Sequence, residues 1–495
     1  MGVDVLWPLL AGSATFGLAT RGEAAPGTQV RFAQGATMTA TFTGRFIERG
    51  GDDYERARVD AIFNARRPAR FPAAVLEAAD EADVIAGVRL AAERGWTVTV
   101  RSGGHSWVAW SLHDDSLLID LSGLRELSIA RPGVALASPA IRGGIDLNPF
   151  LRQHGYLFPG GHCPTVGIGG YLLQGGQGWN GRPWGWGCEN VLGVDVVTAA
   201  GELVHAGPDS HPDLYWAARG AGPGFFGIVT RFHLKVYELP PVFAQTVYAL
   251  PIDAYDDVMA WAHDLLPTLD RRVEPVIVGT RLAPPGIDIG GGPMIIIATT
   301  GLFTSQEEAE REMAALRTCP WLDRAYLADF AAPVTFDIVN EIQNAQNPTD
   351  HRYAVDCAWS DAPAAELAPL LKPLYTGLPT EESFVIWYGW NPVRSLQDMA
   401  FSMEANVYIA AYSVWKDPAD DQRVMDWVTE RFRALEPVTK GVYLGDADPL
   451  RRPGKFMADA NYAKLESIRA AYDPGGMFPS YRVKPGSTPN EFDPM

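Results

Sequence analysis

Arg101-Ser102-Gly103-Gly104-His105 and Gly160-Gly161-His162-Cys163-Pro164-Thr165-Val166-Gly167 are the stretches on which the reading of this 495-residue chain turns. Each sets one nucleophile, His105 or Cys163, among glycines. Glycine lets backbone approach a ligand closely and aim amide N–H groups at phosphate. Neither stretch has the spacing of a GxGxxG fingerprint or a Walker A loop. Gly103-Gly104 alone fits a plain tight turn; flanked by Arg101 and His105, and matched by the second loop, it reads as part of a ligand site. Upstream, Asp80-Glu81-Ala82-Asp83 is suited to cap a helix with an apolar stripe of Val84, Ile85, Val88 and Leu90, and Gly95 is placed to end it. Thr97-Val98-Thr99-Val100 then forms a strand that runs into the His105 loop, at the strand end where α/β sheets place ligands. Leu117 to Leu121 reads as another buried strand.

Further segments extend the pattern. Val166-Gly167-Ile168-Gly169-Gly170 leads to Gly175-Gly176-Gln177-Gly178-Trp179 and then the strand-like Val194 to Thr198. Asp213-Leu214-Tyr215-Trp216-Ala217-Ala218-Arg219-Gly220, Gly227-Ile228-Val229-Thr230, Asn461 to Leu465 and Tyr472-Asp473-Pro474 follow in order. In these segments, over roughly residues 58–240 and 440–485, the chain resembles the FAD-linked oxidases of the vanillyl-alcohol-oxidase/PCMH fold, within them the berberine-bridge-enzyme-like group. The resemblance implies an α+β fold: a lead-in over 1–57, a PCMH-type FAD-binding domain over 58–238, a substrate domain with a helix-covered antiparallel sheet over 239–438, and a return to the FAD domain over 439–495. It implies FAD bound covalently, His105 bonding the flavin 8α carbon and Cys163 bonding C6. Arg101, Ser102, Gly103, Gly104, Ser106, Val166, Gly167, Gly169, Gly170, Gly175, Gly178 and Val229 would help to hold the cofactor. Two bonds go in this family with an open pocket that admits bulky substrates.

A chain of this length is expected to form two domains. With 47% hydrophobic and 20% charged residues it is not disordered throughout, and no uncharged apolar run is of membrane-spanning quality. A formal charge of −18, without a basic aromatic-rich cluster, argues against nucleic acid as a partner. Cys163, Cys188, Cys319 and Cys357 are too scattered for a disulfide framework and include no CxxC pair for zinc; a disulfide at Cys188 is unforced. Leu6-Trp7-Pro8-Leu9-Leu10 and Ala24-Ala25 imitate parts of a secretory signal, yet no Lys or Arg precedes the apolar part. A cytoplasmic location is therefore expected over secretion.

Beyond Pro240-Pro241 the glycine loops stop. Gln245–Leu250, Val276–Val278 and Met294–Ile297 read as strands, and Phe384–Trp390 and Val407–Trp415 as adjacent antiparallel strands rich in β-branched and aromatic residues. Period-two alternation predicts Glu404, Asn406, Tyr408 and Tyr412 on one face. Trp387, Tyr388, Trp390, Tyr408 and Tyr412 are candidate stacking surface for a sugar or aromatic substrate. Asp417 to Leu435 carries Val424, Val428 and Phe432 at helical spacing, and Asn461 to Tyr472 reads as a helix with Leu465 and Ile468 inward. Pro485 to Met495 is expected to be a tail.

A flavin oxidises a C–H bond by accepting hydride at N5, so the protein must orient the donor carbon and take the substrate's acidic proton. Neutral imidazole and a thiolate are the nucleophiles the two flavin bonds require; His162 either assists the thiolate or caps the loop. Tyr443 in Gly441-Val442-Tyr443-Leu444-Gly445 matches the family's base in Gly-x-Tyr-x-Asn, with Gly445 in place of asparagine. A phenol needs perturbation or concerted transfer to act as a base. Glu404 is the second candidate. In relatives the residue three after the tethering Cys stands near flavin C4a, where valine goes with oxygen use and isoleucine hinders it; Val166 there implies an oxidase that reduces O2 to H2O2. The chain departs from the family at Phe401-Ser402-Met403-Glu404, where Phe-Pro-His-Arg is common, at Gly222-Pro223-Gly224-Phe225-Phe226-Gly227, and around Arg482 in place of a Gln. The expected substrate is a small sugar, alcohol, alkaloid or polyketide-like molecule, oxidised at an alcohol, hemiacetal or amine carbon. The alternatives are a dehydrogenase with another acceptor and a non-catalytic flavin-bearing binding protein.

Overall fold

The computed structural model describes residues 28–29, 41–283, 287 and 289–481. The apolar N-terminal segment, Arg482 and the Pro485–Met495 tail lie outside the described residues. The capped helix forms as its signals predict: Glu81–Arg94, with the Asp80 side chain accepting from the Asp83 amide and Gly95 left-handed at φ 65°. Its Val84, Val88 and Leu90 are buried against a four-stranded sheet. In that sheet Ala74–Glu77, Leu117–Asp120 and Val98–Arg101 are parallel neighbours, and Arg45–Glu48 adds an antiparallel edge. A second sheet of five antiparallel strands runs in the order Leu203–Ala206, Val191–Val197, Ile228–Lys235, Val134–Ala137, Leu127–Arg131. The C-terminal segment returns to this half. The Val98 amide donates to the Met477 carbonyl at 2.8 Å, so a residue near the end of the described chain supports the strand that carries the His105 loop.

Residues 242–415 supply a third sheet of seven antiparallel strands, in the order Leu327–Pro333, Val242–Pro251, Met294–Phe303, Glu274–Thr280, Phe384–Gly389, Val407–Trp415, Arg352–Ser360. The two aromatic strands are neighbours, as their composition predicts. Tyr255–Leu265, Ala364–Thr376 and Asp421–Leu435 are helices packed on one face of this sheet, where Ile277, Ile295, Ile297, Val385 and Trp387 meet Leu371, Val424, Val428 and Phe432 in one core. The alternate residues of the same strands face the other way. This period-two split is what makes one sheet both a core layer and a cavity wall.

Three of the five candidate stacking residues are core instead: Tyr408 is fully buried, with its hydroxyl donating to Asp446, and the two tryptophans are buried as well. Trp387 points into the helix-facing core, and Trp390 is fully buried beside Trp186. Glu404 and Asn406 precede the Val407–Trp415 strand rather than extending it, so the expected four-residue polar face reduces to Tyr408 and Tyr412. Among the described residues no helix is long and apolar enough to cross a membrane. All four cysteines are unpaired, Cys188 lying buried 3.6 Å from the Met399 sulfur.

Candidate active site

A cavity of about 860 Å3 lies between the first half of the chain and the seven-stranded sheet. The two glycine loops meet on its floor. A Cβ on Gly103 would come within 2.7 Å of the Gly167 amide nitrogen, so neither position tolerates a side chain without separating the loops. Gly104 is left-handed at φ 71°, and a Cβ there would fall 1.7 Å from the Ala61 carbonyl oxygen. The loops thus bring His105 and Cys163, 58 residues apart in sequence, into one hydrogen-bonded chain. His105 Nε2 lies 2.9 Å from Thr165 Oγ1, which in turn lies 3.6 Å from Cys163 Sγ. Thr165 is the joining residue, and sequence reading did not single it out.

Burial, and then the Arg142 charge, hold His105 down to about 4 from 6.5; the imidazole is neutral at physiological pH, and its ring stacks on Phe63 at 4.3 Å. Burial pushes the Cys163 thiol up, with Thr165 opposing the shift. His162 is held down to about 4 by burial and meets Trp179 edge-on. The Cys163 sulfur's partner is therefore Thr165, and His162 lies along the cavity wall against Trp179.

Of the other predicted positions, Ser102, Gly103, Gly104, Ser106, Val166, Gly167, Gly169, Gly170 and Val229 line the cavity. Arg101 lines it too, but its guanidinium is spent on Asp120 at 2.7 Å and on the Arg58 and Ala57 carbonyls; it fixes the loop's root. Gly175 and Gly178 stand behind the lining. A Cβ on Gly175 would press on Phe401, and one on Gly178 on the Tyr171 hydroxyl and the Gly160 carbonyl, so these glycines serve close packing. Gln174 Oε1 and Gln177 Nε2, on residues that line the cavity, are buried without a protein partner. An acceptor and a donor left open in the same cavity as two nucleophiles and glycines such as Gly103 and Gly169 that admit no Cβ fit the edge of a flavin ring.

Tyr443 lines the cavity, and its hydroxyl accepts from the Gly176 amide at 3.1 Å. Burial first, then the nearby Asp446 carboxylate, raises its pKa above the usual phenol value. Asp446, unnoticed in the sequence, accepts from Tyr408 (2.6 Å), Tyr412 (2.9 Å) and Trp107 Nε1 (2.9 Å). It ties the sheet's aromatic strand to the loop that follows His105. Glu404 does not reach the cavity: its carboxylate accepts from the indoles of Trp186 (2.8 Å) and Trp390 (2.9 Å). The polar signal that marked it as a base belongs to an internal clasp between aromatic side chains.

The opposite wall is formed by cavity-facing residues in cross-strand register. One row reads Tyr388, Val276, Ala298, Val247; the next reads Ile386, Val278, Ile296. Ile338 and Ile342 of the Phe336–Gln346 helix complete an apolar lining.

Comparison with known proteins agrees with this geometry. Residues 72–207 match the FAD binding domain family model. The chain is 34% identical over 429 residues to the FAD-linked oxidoreductase nodO of Hypoxylon pulicicidum, covering 86% of this chain and 93% of that protein. The crystal structure of 6-hydroxy-D-nicotine oxidase from Arthrobacter nicotinovorans is similar with a TM-score of 0.77 at 23% identity, covering 89% of this chain and 97% of that one. The BBE-like 1 protein of Physcomitrella patens gives 0.74 at 20% identity, over 91% and 97%.

Proposed function

The chain belongs to the FAD-linked oxidoreductases and shares the fold of the berberine-bridge-enzyme-like proteins, and from that premise we propose that it is an oxidase whose FAD is bonded to both His105 and Cys163. The observation that carries the reading is the His105–Thr165–Cys163 chain on the floor of one cavity. When bound, the flavin supplies the hydride acceptor at N5 and the route of electrons to O2. The protein's own residues do the rest. His105, neutral through burial, offers a ring nitrogen lone pair, and Thr165 fixes which nitrogen is engaged. The apolar wall of Val247, Val276, Val278, Ile296 and Ile386 excludes water and presses a bulky, mainly apolar substrate toward the floor.

Tyr443 is the proposed base for the substrate's O–H or N–H proton. Its raised pKa means that the phenol starts protonated, so it acts by concerted transfer as hydride leaves rather than as a standing phenolate. Val166 lines the cavity with one methylene less than isoleucine, which supports access of O2. Reaction at an alcohol, hemiacetal or amine carbon suits this arrangement.

The test is anaerobic mixing of the purified holoenzyme with alcohols, sugars and amines, followed by air. Bleaching that reverses with peroxide release supports the oxidase. Bleaching that persists in air replaces O2 with another acceptor, and no bleaching by any class favours a binding protein.

A further inference from the structure

The apolar wall is broken at one end. Gln245 stands opposite Thr300, and Thr300 opposite Glu274, so that three neighbouring strands contribute one polar cross-strand row to the cavity. Glu274 is 3% exposed. Its Oε2 accepts from the Asn180 amide at 2.8 Å and its Oε1 from the Arg182 amide at 3.0 Å. The Arg182 guanidinium turns away, to the carbonyls of Trp390, Asp270 and Val273. The carboxylate is thus held by two backbone dipoles and is not in contact with a cation.

Burying a carboxylate is costly unless its charge is met. Two amides occupy only part of its acceptor capacity, since an ionised carboxylate offers about four lone-pair sites. Tyr388, on the adjoining strand, lines the cavity beside it, and its hydroxyl, which has no other partner, is a third donor close to the carboxylate. Burial raises the Glu274 carboxyl to about 7, with the Arg182 and Asn180 amides, the more distant Arg182 charge and the Tyr388 hydroxyl opposing the shift. A costly, incompletely satisfied acceptor at the margin of an apolar wall is placed to receive a donor.

We propose that Glu274, at the end of the Gln245–Thr300–Glu274 row, is a specificity-determining residue that binds a hydroxyl or ammonium donor on an otherwise apolar substrate. This rests on the reading that the cavity binds the substrate, but not on which bond is oxidised. The donor held at Glu274 selects and orients the molecule.

The test is anaerobic titration of the holoenzyme with naphthalene-2-methylamine, naphthalene-2-methanol and 2-methylnaphthalene, followed by the shift of the flavin absorbance bands. The amine, the alcohol or both should bind at least tenfold more tightly than the hydrocarbon. Glu274→Gln should erase most of that preference while changing the hydrocarbon's affinity less than twofold. An ammonium donor would make amine affinity rise between pH 6 and 8, as Glu274 loses its proton, while a hydroxyl donor would leave alcohol affinity nearly flat. Should Glu274→Gln fail to fold, Thr300→Val in the same row should cut the donor preference by about half or more. Equal binding of all three compounds, binding of none, or an equal loss of all three in the variant overturns the proposal. Failure of every compound to bleach the flavin would bear on the oxidase reading alone.

Discussion

Thr165→Val removes one hydroxyl while keeping the side chain's shape, and the structure allows its effect to be worked out. Thr165 Oγ1 lies 2.9 Å from His105 Nε2. If Nε2–H donates to it, Nδ1 keeps its lone pair and is the nitrogen free to bond the flavin. Without the hydroxyl, both tautomers become available and the ring loses its orienting bond. A neutral hydrogen bond contributes about 0.5–1.5 kcal/mol net, and about 1.4 kcal/mol corresponds to a tenfold rate. Attachment through His105 should therefore slow by about two- to tenfold. The clean measurement uses a Cys163→Ala background, so that His105 is the single tether. Apoprotein is incubated with FAD, and the flavin surviving acid precipitation is followed over time with and without Thr165→Val. Thr165→Ser should restore the rate. An unchanged rate in the valine variant would refute the orienting role.

In Cys163→Ala and His105→Ala alone, flavin should remain acid-stable through the surviving tether, and the double variant should release all of it; acid-stable flavin in the double variant would place a bond elsewhere. Tyr443→Phe should slow substrate-driven flavin reduction by about 100-fold or more, the usual size of a general-base contribution, with little change in substrate affinity by anaerobic titration. Glu404→Ala leaves two buried indole N–H groups unpaired, so thermal denaturation should show a loss of about 2–5 kcal/mol, while Glu404→Gln should retain most of the stability and leave flavin reduction unchanged. His105 and His162, both held down to about 4 from 6.5, stay neutral in the fold while the unfolded chain takes up protons. Apoprotein stability should therefore rise with pH from 4 to 6.5 and fall on acidification through that window; melts of a His105→Gln/His162→Gln double variant should show a shallower slope.

Local signals in the sequence were sufficient where the chain's neighbours in space are also its neighbours in sequence. Asp80, the apolar stripe and Gly95 define a helix without reference to the rest of the fold; the glycines beside His105 and Cys163 read as a ligand site, but that Gly103 packs on Gly167 of the other loop was not legible. Thr165 and Asp446 escaped notice because their meaning depends on partners 60 and 34 to 339 residues away. Glu404 misled for the converse reason: a carboxylate beside a strand looks like chemistry until the indoles of Trp186 and Trp390 are found on it. The aromatic strand Phe384–Gly389 was legible as a strand, but which alternate residues face the cavity was not, because the helices that claim Trp387 are supplied by distant segments.

The alternation in the seven-stranded sheet bears on how such an enzyme changes its substrate over evolutionary time. Val247, Val276, Ile296 and Ile386 share strands with core residues yet point away from them. Replacing any of them alters the cavity wall, the substrate's mould under the proposed function, without changing a side chain of the helix-facing layer. Four strands therefore offer tuning positions set apart from the helix-facing core, and under the proposed function a lineage is free to drift from one substrate to another while the glycine loops of the floor stay fixed.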